Sequence, residues 1–285
     1  MPTHIDPPVH SPGLTLVLGG TGKTGRRVAN GLQARGIATR IASRSVSPAF
    51  SWSNPAGWPT VLSDVKAVYL SYAPDLAIPG ATASIRTFTE AAAAAGVQRI
   101  VLLSGRGEAE AEACEQIVRD CGLEWTIVRA SWFNQNFSEG AFTDMVKSGA
   151  INLPVGAIGE PFIDAQDIAD VAIAALSETG HTGEIYEVTG PRLLTFTDIA
   201  QELSSATGRR ITFTSISRAA FLAGVEQSGV PTDIAWLMDY LFTTVLDGRN
   251  ANITTGVQRA LGRAPRDFSL YAAETAQTSV WGRAA

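Results

Sequence analysis

The chain has 285 residues, enough for one large α/β domain or for a domain with a smaller lobe. Apolar residues make up 45% and charged residues 17%, which supports a sizeable core and excludes a disordered chain. The formal net charge of −5 gives no electrostatic case for binding nucleic acid or an anionic membrane surface.

The first stretch, "MPTHIDPPVHSPG", carries three prolines before residue 10 and has no apolar centre, so it reads as a loose tail over 1–13 and not as a secretion signal. No run of about 18 apolar residues follows, so no membrane span is expected and a cytoplasmic location is. "LTLVLGGTGKTGRRV" (14–28) then joins a short apolar strand to a glycine cluster containing Gly-Lys-Thr. A nucleotide P-loop needs a glycine five residues before that Gly, and the position holds Val17. A dinucleotide-binding turn fits instead. Gly19, Gly22 and Gly25 stand three apart between a strand and a helix, allowing a tight turn, close approach of a pyrophosphate, and close helix–sheet packing.

The second strand, in "GIATRIASRS" (36–45), ends at Ser43-Arg44. An acidic residue about 20 positions past the glycines would bind a ribose 2′-hydroxyl. A hydroxyl and an arginine suit the 2′-phosphate of NADP(H), with Lys23 and Arg40 as further positive charges. Strand and helix then alternate: a strand in 64–74, a helix over 79–96, a strand over 97–105, a helix over 108–122, a strand over 123–133, a helix over 161–178 and a strand over 183–190. That order predicts an α/β fold, a Rossmann-type doubly wound parallel sheet over 14–190, with cleft-forming loops at about 131–163. Cys114 and Cys121 are seven apart, about 10 Å of helical rise, too far for a disulfide within one helix. Both are expected buried and inert.

Helical patterns dominate after 190, at 197–207, 217–228, 231–247, 254–262 and 267–281, and predict a smaller, mostly helical lobe over 191–285 for the substrate. In "PTDIAWLMDYLFTTVLDG", Ile234, Leu237, Met238, Leu241 and Val245 form one stripe. Trp236, Tyr240 and Phe242 lie off it, placed either to pack a core or, for Trp236 and Tyr240, to line the substrate pocket.

The stretches "LVLGGTGKTGRRVA", "RIASRS", "AVYLSYAPD", "QRIVLLSGRG", "TIVRASWFNQNF", "PFIDAQDIADVA" and "IYEVTGPRLLTFTDIAQELSSATGRRI" together resemble the NmrA-like atypical short-chain dehydrogenase/reductases. Within that family they look like the ergot-alkaloid festuclavine/agroclavine dehydrogenase group. The resemblance runs over almost the whole chain from residue 14. It implies that Gly19, Thr21, Gly22, Lys23, Thr24 and Gly25 hold the phosphates, and that Ser71, Tyr72, Ala73 and Pro74 lie near the adenosine and its linkage. It sets Ser104 and Gly105 beside the nicotinamide and Ser131, Trp132, Phe133 and Asn134 at the substrate cleft. The family usually has proline after the arginine that Arg129 matches; here Ala130 follows.

Most short-chain dehydrogenases pair a tyrosine with a lysine four residues on, which lets the tyrosine give a proton to a carbonyl oxygen. Lysine occurs only at 23, 66 and 147, and no tyrosine stands four before any of them. The corresponding stretch, 107–112, reads Gly-Glu-Ala-Glu-Ala-Glu, expected as a solvated first helical turn. A missing general acid typically costs about 10²–10⁴ in rate. A ketone would feel that loss; an iminium ion would not, because it already carries its positive charge. Tyr72 and Ser104 remain as proton-donor or orienting candidates. His4 and His10 fall in the tail and His181 in a loop, and no metal-ligand spacing is seen. The expectation is an NADPH-dependent reductase of a small apolar electrophile, C=N ahead of quinone or azo. The alternative is a non-catalytic NADP(H)-sensing regulator of NmrA type. Homo-oligomer formation is left open.

Overall fold

The computed structural model describes residues 13–282, so the expected tail lies outside the described residues except for Gly13. The strand β1 (Leu14–Leu18) leads through the glycine turn into α1 (Lys23–Ala34). Then come β2 (Thr39–Ala42), α2 (Trp58–Leu62), β3 (Val65–Leu70), α3 (Ala81–Ala94), β4 (Arg99–Gly105), α4 (Ala109–Arg119) and β5 (Glu124–Ala130). The chain continues through α5 (Thr143–Ser148), β6 (Ala150–Leu153), α6 (Ala165–Ser177) and β7 (Glu184–Val188). After these lie α7 (Phe196–Thr207), β8 (Thr212–Ser215), α8 (Arg218–Gln227) and α9 (Thr232–Tyr240). A π-helical turn (Leu241–Val245), α10 (Gly256–Leu261) and α11 (Phe268–Ala276) complete the order.

Six strands form one parallel sheet in the order β2-β1-β3-β4-β5-β7. The chain leaves β1 to one side for β2, then crosses back to lay β3 on the other side. Such a reversal opens a crevice at the carboxyl ends of the two strands. The crevice is narrow at its base: a Cβ added to Gly19 would lie 3.5 Å from Ser71 Oγ.

Alternation along the strands explains why both faces are covered. Leu16, Leu18, Val68, Leu70, Ile100 and Leu102 pack with α2, α3 and α4. Val17, Ala67, Tyr69, Val101 and Val128 pack with α1, α6 and Val257 of α10. The helix α6 is buried almost all round and is capped by Asp164, whose side chain accepts from Gln166 N at 2.7 Å. A Cβ on Gly31 would fall 2.3 Å from Ile173 Cδ1, so that glycine sets how closely α1 meets α6.

The C-terminal part is mostly helical, as the sequence predicts, and one short sheet joins it: β6 and β8 pair in parallel, Ala150 opposite Thr212 and Leu153 opposite Ser215. Each strand is four residues long, too short for a period of two to show. The lobe does not begin at 191. Its core joins Phe137, Phe142, Ile151 and Phe162 to Phe196, Phe221, Phe242 and Phe268. The chain thus enters the lobe after β5, returns for α6 and β7, and enters it again, and α10 packs back on α6 and β7. Among the cysteines, Cys114 is buried, with its thiol pushed up to about 12 mainly by burial. Cys121 is only half-buried because α4 stops at Arg119, before it. No helix among the described residues is long and apolar enough to cross a membrane.

One buried acid ties the two parts together. Asp167 on α6 is fully buried and accepts from Arg266 N at 2.6 Å and from the guanidinium of Arg263 at 2.8 Å. Hydrogen bonds to charged groups contribute about 1.5–3 kcal/mol each, and both arginines keep some access to water. Asp167→Ala should therefore lower unfolding stability by about 2–3 kcal/mol. A urea titration, read as a shift in midpoint at unchanged slope, checks this.

Candidate functional site

The glycine turn is built by backbone approach. Gly19 has φ +62°, the left-handed region that glycine adopts without strain. Its carbonyl accepts from Gly22 N at 2.8 Å. A Cβ on Gly25 would sit 2.2 Å from that same carbonyl oxygen, and one on Gly22 would sit 3.1 Å from it. The helix α1 starts at Lys23 with no side chain capping its first turn, so its leading N–H groups face outward, as an anion site requires. Lys23 reaches across the crevice, and its Nζ donates to Asn136 Oδ1 at 2.9 Å. Burial lowers the pKa of this ammonium, and a bound phosphate would oppose that shift. The cradle of glycine backbone and a half-buried cation fits a dinucleotide diphosphate.

Above the sheet edge opens a cleft of about 390 Å³. It is lined by Gly19, Gly22, Lys23, Thr24, Ser71, Tyr72, Ala73, Ser104, Gly105, Trp132 and Phe133, eleven of the residues the sequence singles out. Thr21 stands exposed at the tip of the turn and Gly25 is buried under it. Ser43 and Arg44 lie beyond the lining at the end of β2, with Arg44 exposed. Arg40 does not add to that charge; it donates to the carbonyls of Val61 and Ser63 at 2.8 and 2.7 Å, closing the end of α2.

Three assignments change at the substrate end. Asn134 is fully buried behind the cleft, and Asn136 lines it instead. Trp236 is 42% exposed and stacks on Tyr240 at 5.3 Å, while Tyr240 Oη donates to Glu110 Oε2 at 2.8 Å. Neither aromatic reaches the cleft. Leu241 and Val245 do, because the π-helical turn that follows α9 carries the apolar stripe onto the cleft wall. Ser104 is the third. Its hydroxyl donates to Glu115 Oε1 at 2.6 Å, and the same oxygen accepts from Arg129 Nε at 2.9 Å. The Ser104 proton is thus engaged by an ion pair on the α4 side. Tyr72 remains on the cleft, its ring 4.7 Å from that of Trp52.

Asp75, Arg106 and Glu108 also line the cleft, and sequence reasoning did not find them. Arg106 is buried and donates to Glu187 Oε1 at 2.8 Å, the Asn250 carbonyl at 2.7 Å and Asn252 Oδ1 at 2.8 Å. The acids of 107–112 are not one solvated turn. Glu112 is exposed and Glu110 holds Tyr240, but Glu108, at the N-cap of α4, is only 6% exposed. Two glycines just before it mark the crowding: a Cβ at Gly105 would lie 2.2 Å from Glu108 Oε1, and one at Gly107 would lie 2.4 Å from Asn250 Nδ2. Beneath the Trp132 loop, Glu160 is 2% exposed, and burial pushes its carboxyl up to about 7 against the pull of the Trp132 N–H and Arg106. His181 is buried away from the cleft, with Nδ1 2.8 Å from Tyr186 Oη.

Residues 19–179 match the NAD(P)H-binding family model, a span that begins on the turn glycine and ends just past α6. The chain belongs to that family. It is 32% identical to the uncharacterized oxidoreductase YesF of Bacillus subtilis, across 93% of this chain and 97% of that one. It is 30% identical to agroclavine dehydrogenase of Claviceps fusiformis, across 93% of this chain and 98% of that one. Together these matches place the chain in an NAD(P)H-dependent oxidoreductase family. Among solved structures it resembles Citrobacter triphenylmethane reductase complexed with NADP(H), with a TM-score of 0.73 at 18% identity over 93% of this chain and 99% of that one. At that identity the likeness concerns the fold, a Rossmann-like sheet with a helical C-terminal part.

Two outcomes follow from this geometry. Gly25→Ala drives a methyl into the Gly19 carbonyl and should weaken NADPH binding by about tenfold or more, read by calorimetry. Glu160 binds its proton more tightly folded than unfolded, so the native chain loses stability as pH rises from about 4.5 to about 7. Glu160→Gln should remove that loss, and denaturation midpoints across the window should diverge from those of the native chain as pH rises.

Proposed function

We propose that the chain is an NADPH-dependent reductase of apolar, electron-poor acceptors, with an imine or iminium C=N ahead of quinone or azo. The observation that carries this reading is the two-ended cleft. One end offers the glycine cradle and Lys23; the other is walled by Leu103, Trp132, Phe133, Leu241 and Val245. The cofactor, when bound, supplies a hydride. Gly19, Gly22 and Lys23 would hold its diphosphate, and Ser43 and Arg44 the 2′-phosphate. Ser104 and Gly105, at the end of β4, lie under the reacting region, and the aromatic and aliphatic wall excludes water from it. Much of the rate enhancement then comes from holding the reactants together in a dry cleft. The likeness to agroclavine dehydrogenase over nearly the full length of both chains supports a redox enzyme over a regulator.

NADPH oxidation, followed optically with cyclic imines, quinones and azo dyes, tests the reading. Turnover of a cyclic imine is the expected result. Tight binding of both redox forms with no turnover across the panel would sink it and favour the regulatory alternative. Charge reversal tests the choice of cofactor. Arg44→Asp should weaken NADPH by about tenfold to a hundredfold and leave NADH nearly unchanged. Equal weakening of the two would remove Arg44 from the 2′-phosphate.

A further inference from the structure

Two carboxyl groups line the cleft, and among the described residues neither forms an ion pair. Glu108 reaches it from the N-cap of α4, and Asp75 from the loop after β3. Glu108 is 6% exposed, and its Oε2 is buried without any N–H or O–H donor. The group it meets is the carboxyl of Asp75, an acceptor in its own right, whose Oδ1 is occupied by Ala77 N at 2.8 Å. Two ionised carboxylates in this position would repel; one proton between them turns repulsion into a hydrogen bond. Arg106 lines the same cleft, but its hydrogen bonds run to Glu187, Asn250 and Asn252 and none reaches the pair. The Gly105 backbone lies directly against Glu108, where any Cβ would strike the carboxyl. That glycine ends β4, the strand assigned above to the reacting region.

We infer that Asp75 and Glu108 share one proton and that Glu108 delivers it to the nitrogen of a neutral C=N or N=N acceptor. The inference rests on the reductase reading and supplies the general acid that the missing Tyr-Lys pair left open. The balance is simple. The Glu108 O–H bond breaks and an N–H bond forms, while the atom across the double bond takes the hydride of the reduced cofactor. The carboxylate pair left behind takes up one proton from water. Ser104 does not compete for this role, since its proton is held by Glu115.

The charges around Glu108 agree with a retained proton. Burial first, then Asp75 and Glu110, push its carboxyl up to about 9. Burial also raises Asp75, and Cys114 nearby is raised to about 12, so it stays a neutral thiol. Tyr240 caps Glu110, and Tyr72 and Lys23 line the same cleft.

The experiment compares a neutral cyclic imine or azo dye with the N-methyl iminium of the same imine, which needs no proton. Glu108→Gln keeps shape and loses the acid. It should lower kcat for the neutral acceptors by about a hundredfold while changing the iminium rate by less than about threefold. Asp75→Asn should act in the same direction. For the native chain, kcat with the neutral acceptors should fall as pH rises past about 9. Infrared difference spectra of the cofactor-free chain at pH 8 give a readout independent of turnover. A protonated-carboxyl band present in the native chain and lost in Glu108→Gln is expected. Absence of that band in a native chain that reduces imines would overturn the shared proton and leave the reductase reading standing. Equal loss with both acceptor types, or loss matched by weaker NADPH binding, would overturn the donor role. A native chain that turns over no acceptor would overturn the reductase reading and the donor role with it.

Discussion

The contact on which the site depends is between two pieces of backbone. Gly25, in the first turn of α1, lies so close to the Gly19 carbonyl that a single added carbon would come within 2.2 Å of it. That approach pulls the helix N-terminus down onto the end of β1 and points its unpaired N–H groups into the crevice. Because β3 lies on the other side of β1, the same point is where the sheet reverses its strand order. The phosphate cradle and the crevice are therefore one feature. Side chains enter afterwards: Lys23 from α1 and Asn136 from beyond β5 close the floor.

The cleft holds groups of both signs. Burial weakens the ammonium of Lys23, a cation that gains from an arriving anion. Burial also raises the carboxyls of Asp75 and Glu108 toward their neutral forms. Both are poised by desolvation. The low dielectric that penalises an unpaired charge also strengthens interactions once a partner arrives.

The lobe is bound to the sheet domain by polar contacts at the rim and by an aromatic core of its own. Tyr240 reaches Glu110 on α4, Arg106 gathers the loop at Asn250 and Asn252, and Asp167 holds Arg263 and Arg266. Phe137, Phe142, Phe196, Phe242 and Phe268 fill the interior. This two-visit path brings the Trp132 loop, the π-helical turn and the acids of α4 to one cleft, though they are far apart in the chain.

The sequence determined what repeats or what glycine alone can do. Alternating apolar strands and amphipathic helices are local patterns, and the three turn glycines report a steric demand made within seven residues, so the sheet, α1 and the cofactor end were legible. The tertiary structure decided what depends on meeting across the chain. β6 and β8 are too short to announce themselves and form a sheet only by finding each other. Leu241 and Val245 reach the cleft in place of Trp236 and Tyr240, and only the packing of the lobe shows which residues of that segment meet the cleft. Glu108 and Glu112 share one acidic run, yet one is buried against Asp75 and the other is in water. A carboxyl's chemistry is set by the dielectric and the neighbours around it, and neither is written in the order of residues.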